Sequence, residues 1–287
     1  KVNLEKRFMP TFKTRLVSQI TTLQADTWLS GMKKNKNISS NQIVNVRKDA
    51  IALFNYAIKL NIIVRNPFEH SIKVTHKKDP MQVLNAAEVA LFLDEAKECK
   101  HYAFFNLLVS TGMRLGEALG LTWNDIDFNK KRISISKQYT NGLFKDHPKT
   151  EKSNRTIEIG DALSKALMTH LVNQQEIRAN LGSAYNNNNL VFPNSIGNYE
   201  SLGNIRTRHF DPIIKKSLLN NKTTIHDLRH TFASINLMEG VPVLVVSNHL
   251  GHANPSITLD IYSHYIPESA ESPSITLERI IKEVEVK

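Results

Sequence analysis

Cysteine is almost missing from this chain: Cys99 is the single one in 287 residues. One thiol excludes an intramolecular disulfide and any cysteine-rich zinc module. Its place in an amphipathic stretch marks it as an inert, half-buried side chain. Long apolar runs are missing too, since none reaches the roughly 18 residues a bilayer span requires, and no signal-peptide pattern opens the chain. The expected place of action is therefore the cytoplasm, with no membrane partner. No internal repeat is visible. Apolar residues at 41% and charged residues at 22% exclude wholesale disorder. The length suits two domains rather than three. Lys1 in place of methionine reads as the loss of an upstream segment.

What is present in excess is positive charge, and it is unevenly placed. Residues 1–80 hold 15 cations and 5 anions, whereas residues 81–287 hold 22 of each, so the first quarter carries the whole net charge of +10. A concentrated basic segment is the footprint expected where phosphates are gripped, although a solvated basic face has the same composition.

Helical spacing of Ile43, Val46, Ala50, Leu53, Phe54, Ala57 and Ile58 predicts an amphipathic helix between Ser40 and Asn61. Its other side carries Asn45, Lys48, Asn55 and Lys59, with Arg47 at the margin. A shorter helix is expected from Thr22 to Met32, ending near Gly31, followed by the basic loop of Lys33, Lys34 and Lys36. Phe8, Pro10 and Phe12 read as a turn. The charged, Pro-containing stretch Ile72 to Met81 has no sustained period and reads as a linker. Asn85 with Glu88 is a helix-start signal. Helices are then expected over His101 to Ser110, stopping near Gly112, and after Arg114. Alternation in Arg132–Ser136 and Arg155–Ile159 predicts two strands of a small antiparallel sheet, joined by a polar loop with Asn141-Gly142 and Pro148. A helix from Asp161 to about Leu181 and an asparagine-rich loop from Tyr185 to Asn189 follow.

Several short motifs carry polar chemistry. Thr111-Gly-Met-Arg114-Leu-Gly-Glu117 places an arginine between glycines at a helix start, which suits an anion and equally suits a surface turn. Thr224 with Asp227 opens a helix on which His226 and Arg229 share a face, a pairing able to hold phosphate and move a proton. His226, His230, His249 and His252 could instead converge on zinc. The zinc-protease pattern, however, needs glutamate directly after the first histidine, and Asp227 stands there. Leu250-Gly-His252 is followed ten residues after the histidine by Tyr262.

In this order, Arg114, Lys149 of Pro148-Lys149-Thr150, His226-x-x-Arg229, His252 and Tyr262 resemble the tyrosine recombinase or phage integrase family over nearly the whole chain. The resemblance implies a mainly α fold with a small antiparallel β-sheet. A basic helical core-binding domain would span residues 1–75, a linker 76–82, an α+β catalytic domain 83–266 and a tail helix 267–287. It implies DNA breakage and rejoining through a covalent 3′-phosphotyrosine, with no metal or nucleotide cofactor. The partners implied are double-stranded DNA attachment sites of a mobile element, with four protomers assembling on DNA and a monomer when free.

The chemistry suits such a reading, because a charged phosphodiester needs fixed cations around its transition state. Arg114 and Arg229 would clamp the non-bridging oxygens and Tyr262 would attack, with Tyr265 as its competitor. His226 is the candidate proton acceptor. Lys149, flanked by Lys145 and Lys152, would protonate the departing 5′-oxygen, His252 would hydrogen-bond the phosphate, and Glu117 would orient the site. Lys33, Lys34, Lys36, Arg47, Lys48, Lys59, Lys77 and Lys78 are the candidate DNA contacts. Residues 268–287 carry 3 cations and 5 anions, which argues against the tail gripping DNA. Its apolar positions Ile275, Ile280, Ile281 and Val284 suit packing on a neighbouring protomer or on its own domain. A topoisomerase-like relaxing enzyme, a non-catalytic DNA-binding regulator and a zinc hydrolase are the competing readings.

Overall fold

The computed structural model describes residues 3–74, 81–140, 143–146 and 154–267. The chain divides into two compact units, Lys1–Pro80 and Met81–Lys287.

In the first unit a π-helical turn, Leu4–Phe8, runs into helix α1 (Met9–Phe12), followed by α2 (Thr22–Lys34) and α3 (Ser40–Lys59). The Phe8 to Phe12 segment is thus helical rather than a turn: Pro10 falls in the first turn of α1, where its missing N–H costs nothing. Helix α2 passes through Gly31 and ends three residues later, since Leu29 and Met32 are buried and hold the last turn down. Reciprocal side-chain caps start both long helices, Thr21 with Gln24 and Ser39 with Gln42. The core of this unit is ring-rich. Phe8, Phe12, Phe54 and Phe68 are buried, and Trp28 meets Phe8 edge-on at 5.5 Å.

Helix α3 buries Ile43, Val46, Ala50, Phe54 and Ala57 and leaves Lys48 and Lys59 exposed, as its periodicity requires. Lys33, Lys34 and Lys36 are also exposed. Arg47 is different. Its Nε donates to Ser71 Oγ at 3.0 Å, and its Nη2 donates to the carbonyls of Phe68, Glu69 and Ser71 at 3.0 to 3.2 Å. These bonds fasten α3 to the following loop. Lys77 and Lys78 lie outside the described residues.

The second unit contains α4 (Ala86–Ala96), α5 (Tyr102–Thr111) and α6 (Leu115–Gly120). Among the described residues the strands that follow are β1 (Ile126–Asp127), β2 (Arg132–Ile135), β3 (Lys137–Thr140), β4 (Leu143–Asp146) and β5 (Arg155–Glu158). The remaining helices are α7 (Asp161–Leu181), α8 (Leu202–Ile205), α9 (Asp211–Lys216), α10 (Asp227–Met238), α11 (Val243–Leu250) and α12 (Pro255–Tyr262). An antiparallel three-stranded sheet has the order β1-β2-β5, with Ile133 opposite Ile157 and both buried. The polar stretch expected as a loop between β2 and β5 instead contains the strand pair β3 and β4. Its alternation is masked by lysines and amides, which sequence patterning reads as loop.

Two apolar clusters hold this unit. The larger joins α4, α5, α7 and the sheet through Phe92, Phe104, Phe105, Ile133, Leu163 and Phe210. The smaller consists of Ala233, Leu237, Val246, Leu250 and Tyr262, so α10, α11 and α12 pack around the tyrosine itself. Cys99 is a half-buried free thiol whose pKa burial raises, which fits its reading as inert.

Candidate active site

Three turns bring the polar residues together. Gly112 ends α5 with φ +60°, and a Cβ there would lie 2.6 Å from a ring carbon of Phe232, so only glycine lets α5 stop against α10. The chain then turns to place Arg114 at the N-cap of α6. There Glu117, three residues on, accepts the Arg114 backbone N–H at 2.9 Å. Gly251 ends α11 with φ +66° and releases the chain towards His252.

The last carbonyls of α11 have no partners within the helix, and guanidinium groups supply them. Arg114 donates from Nη1 to Leu250 O at 3.3 Å and from Nη2 to Gly251 O at 2.9 Å. Arg229 donates from Nη2 to the same Leu250 oxygen at 2.9 Å and from Nη1 to Gly112 O at 2.7 Å. One carbonyl therefore joins the two arginines. Among the described residues, neither Nε–H is engaged, so each fork keeps donors for an anion. Burial, then the nearby Arg114, lowers the pKa of Arg229 to about 9, which leaves it charged at neutral pH.

Tyr262 closes the group from α12. Its side chain is 1% exposed, and its hydroxyl lies 2.7 Å from Nδ1 of His230. Burial pushes this phenol up to about 12 although Arg229 pulls it down, and burial followed by His226 lowers His230 to about 4. At neutral pH the pair is a neutral phenol against a neutral imidazole. His226, the expected acceptor, is not the ring that touches the hydroxyl. His226 caps α10, and its ring meets the His230 ring edge-on at 4.8 Å, whereas His230, one turn further along, touches the hydroxyl. The i, i+4 spacing of these histidines is visible in the sequence, where it equally suits a metal pair. Tyr265 instead packs its ring on His264.

His252 is buried with Nδ1 2.7 Å from Thr258 Oγ1, and burial, then Arg229, lowers it to about 4. A ring that accepts the Thr258 hydroxyl at Nδ1 carries its proton on Nε2, the tautomer that can donate to an anion. His249 stacks on Phe232 and places Nε2 3.0 Å from Thr111 O. The four imidazoles thus serve separate tasks, and no group of three or more metal-binding side chains is found among the described residues. Glu117 is fully buried between Arg114 and Arg155, and Asp227 caps its helix by accepting from Thr224 N and Oγ1 at 2.7 Å. The alternation of β5 gives no signal that separates Arg155 from an ordinary strand residue. Lys149 lies outside the described residues, as does the tail from residue 268.

A helical domain with a small sheet, in which paired guanidiniums sit beside a held tyrosine hydroxyl, is of the class that handles phosphoryl groups. Comparison with known proteins narrows the class. The model described as the phage integrase family matches residues 73–268, and the chain belongs to that family. It is 32% identical over 251 residues to a tyrosine recombinase XerC-like protein of Caldanaerobacter subterraneus subsp. tengcongensis, covering 78% of this chain and 62% of that one. It is 27% identical to the transposase from transposon Tn916 of Enterococcus faecalis, covering 89% of this chain and 66% of the relative. The chain thus spans somewhat under two thirds of the length of these relatives. Among solved structures, the Tn1549 transposon integrase in complex with a circular intermediate DNA superposes with a TM-score of 0.73 at 25% identity. That match covers 92% of this chain and 86% of the other. No helix among the described residues is long and apolar enough to cross a membrane.

Proposed function

We propose that the chain is the DNA-cleaving part of a site-specific recombinase of a mobile element, acting on duplex attachment sites through a covalent 3′-phosphotyrosine at Tyr262. The observation that carries this reading is the Tyr262 hydroxyl, hydrogen-bonded at 2.7 Å to His230 within the cluster where Arg114 and Arg229 share the Leu250 carbonyl. Arg114 and Arg229 bind the non-bridging oxygens of the scissile phosphate, and His252 donates from Nε2 to the same group. The phenol loses its proton to His230 as its oxygen attacks phosphorus. The bond from phosphorus to the 5′-oxygen breaks, and that oxygen takes a proton from Lys149. Attack by the 5′-hydroxyl of a partner strand reverses the exchange, so the ester energy is conserved without a nucleotide.

The basic face of the first unit, through Lys33, Lys34, Lys36, Lys48 and Lys59, grips phosphates away from the cut, with Lys77 and Lys78 in the same role. Exchange between two duplexes requires four active tyrosines, hence a tetramer on DNA. The relatives named for recombination and transposition, and the neighbour solved with DNA, support this reading over simple relaxation. Nicked duplexes carrying a candidate attachment site test it. The wild-type chain should yield a covalent adduct at the scissile phosphate beside the nick, and Tyr262→Phe should bind the duplex and yield none. An adduct that survives in Tyr262→Phe refutes the assignment.

A further inference from the structure

We infer that Arg155, the first residue of β5, is a positioning residue for strand cleavage, holding Glu117 and the end of α11 so that Arg114 faces the phosphate. The inference rests on the strand-exchange reading above. Arg155 makes three directed contacts with two separate segments. Its Nε donates to His249 O at 2.7 Å, its Nη2 to Glu117 Oε2 at 2.8 Å and its Nη1 to Glu117 Oε1 at 3.2 Å. Its side chain is 8% exposed and that of Glu117 is fully buried. The fit against α11 is close, since a Cβ on Gly251 would stand 2.7 Å from Arg155 Nη1.

Glu117 is shared. Its Oε1 also accepts Arg114 Nη1 at 2.9 Å, and its Oε2 the Arg114 backbone N–H at 2.9 Å. Two guanidiniums on one carboxylate leave a surplus positive charge, and the bidentate hold of Arg155 keeps the carboxylate from collapsing wholly onto Arg114. Burial alone would raise the Glu117 carboxyl, but the hydrogen bond and charge of Arg155, then the charge of Arg114, outweigh it and hold the group at about 2. Without Arg155 the carboxylate would lose two of its hydrogen-bond donors in a dry site and draw more strongly on Arg114. The pull of the site on a phosphate would fall by one charge. One side chain thus registers the phosphate clamp and the α11 terminus together.

The test is single-turnover adduct formation on a nicked duplex by wild type, Arg155→Gln, Arg155→Lys, Glu117→Gln and the double variant Arg155→Gln/Glu117→Gln. Rates are normalised to the folded fraction from thermal melting and recorded between pH 5 and 8. Arg155→Gln should cleave about 100-fold more slowly with little change in DNA affinity, the size expected for a misplaced clamp. Its rate should rise as pH falls from about 7 to 5, because the carboxyl that has lost its stronger cation is then neutralised by a proton. Lysine, with one donor head, should rescue little, and the double variant should be faster than Arg155→Gln alone. An Arg155→Gln chain as fast as wild type overturns the inference, and so does a slow one with the wild-type pH profile and no recovery in the double variant. A wild-type chain that binds the duplex and forms no adduct sinks the strand-exchange reading instead. In that case the urea midpoint at pH 7 decides on Arg155: a fall in Arg155→Gln that Glu117→Gln restores is expected, and an unchanged midpoint overturns it.

Discussion

Replacing His230 by alanine separates the two histidines of α10. Burial pushes the phenol up to about 12 and the imidazole down to about 4, so full proton transfer in the DNA-free site is strongly uphill. Bound phosphate closes part of this gap, because its negative charge favours the imidazolium and the arginines favour the developing phenolate. The transfer is therefore useful only in concert with attack, where a positioned base is worth about 10² to 10⁴ in rate. Removing His230 also leaves a buried hydroxyl without its partner, a further cost of about 1 to 3 kcal/mol to stability. His230→Ala should slow single-turnover adduct formation on a nicked duplex by about 10²-fold or more. His226→Ala, whose ring only flanks that of His230, should slow it less. Were His230→Ala to cleave at nearly the wild-type rate while His226→Ala did not, the geometry would have misassigned the base.

Three further outcomes follow from the same contacts. Gly251→Ala should melt lower by several degrees and lose most cleavage, because the residue sits at φ +66° and its methyl would displace the Arg155 guanidinium; calorimetry and the adduct assay measure the two effects. Stability should fall on acidification. Burial, the leading cause in each case, lowers His101 to about 3 and His230 and His252 to about 4. The unfolded chain, with these groups near 6.5, therefore takes up protons first as pH drops. The stabilisation is complete above about pH 6.5 and is lost towards pH 4, so urea midpoints should decline across that window, with a shallower decline in His101→Phe. Lys48→Ala should reduce the slope of log affinity for duplex DNA against log salt by about 1, while Arg47→Ala should instead lower the thermal stability of the first unit.

Much of this architecture was legible because local rules and tertiary needs agree. The apolar stripe of α3, the caps at Ser39 and Asn85, the glycine stop at residue 112 and the alternation of β2 and β5 each specify an element within a few residues. The same rules misread α1 and the end of α2, where burial of Phe8, Phe12 and Met32 extends helix past a proline and a glycine. They also missed the strands β3 and β4, whose residues are mostly polar. For the site, the order of Arg114, His226, Arg229, His252 and Tyr262 in the sequence named five side chains that the fold places around the end of α11.

The sequence by itself settled the chemistry on offer, because residue type fixes which groups can carry charge, accept a proton or attack. Only the tertiary structure settled which group meets which. His230 rather than His226 reaches the phenol because one helical turn carries a side chain about 5 Å along the axis, and the phenol comes from another helix. Arg155 and Arg47 turn inward because buried carbonyls and a buried carboxylate at distant positions need donors, a demand no local pattern records.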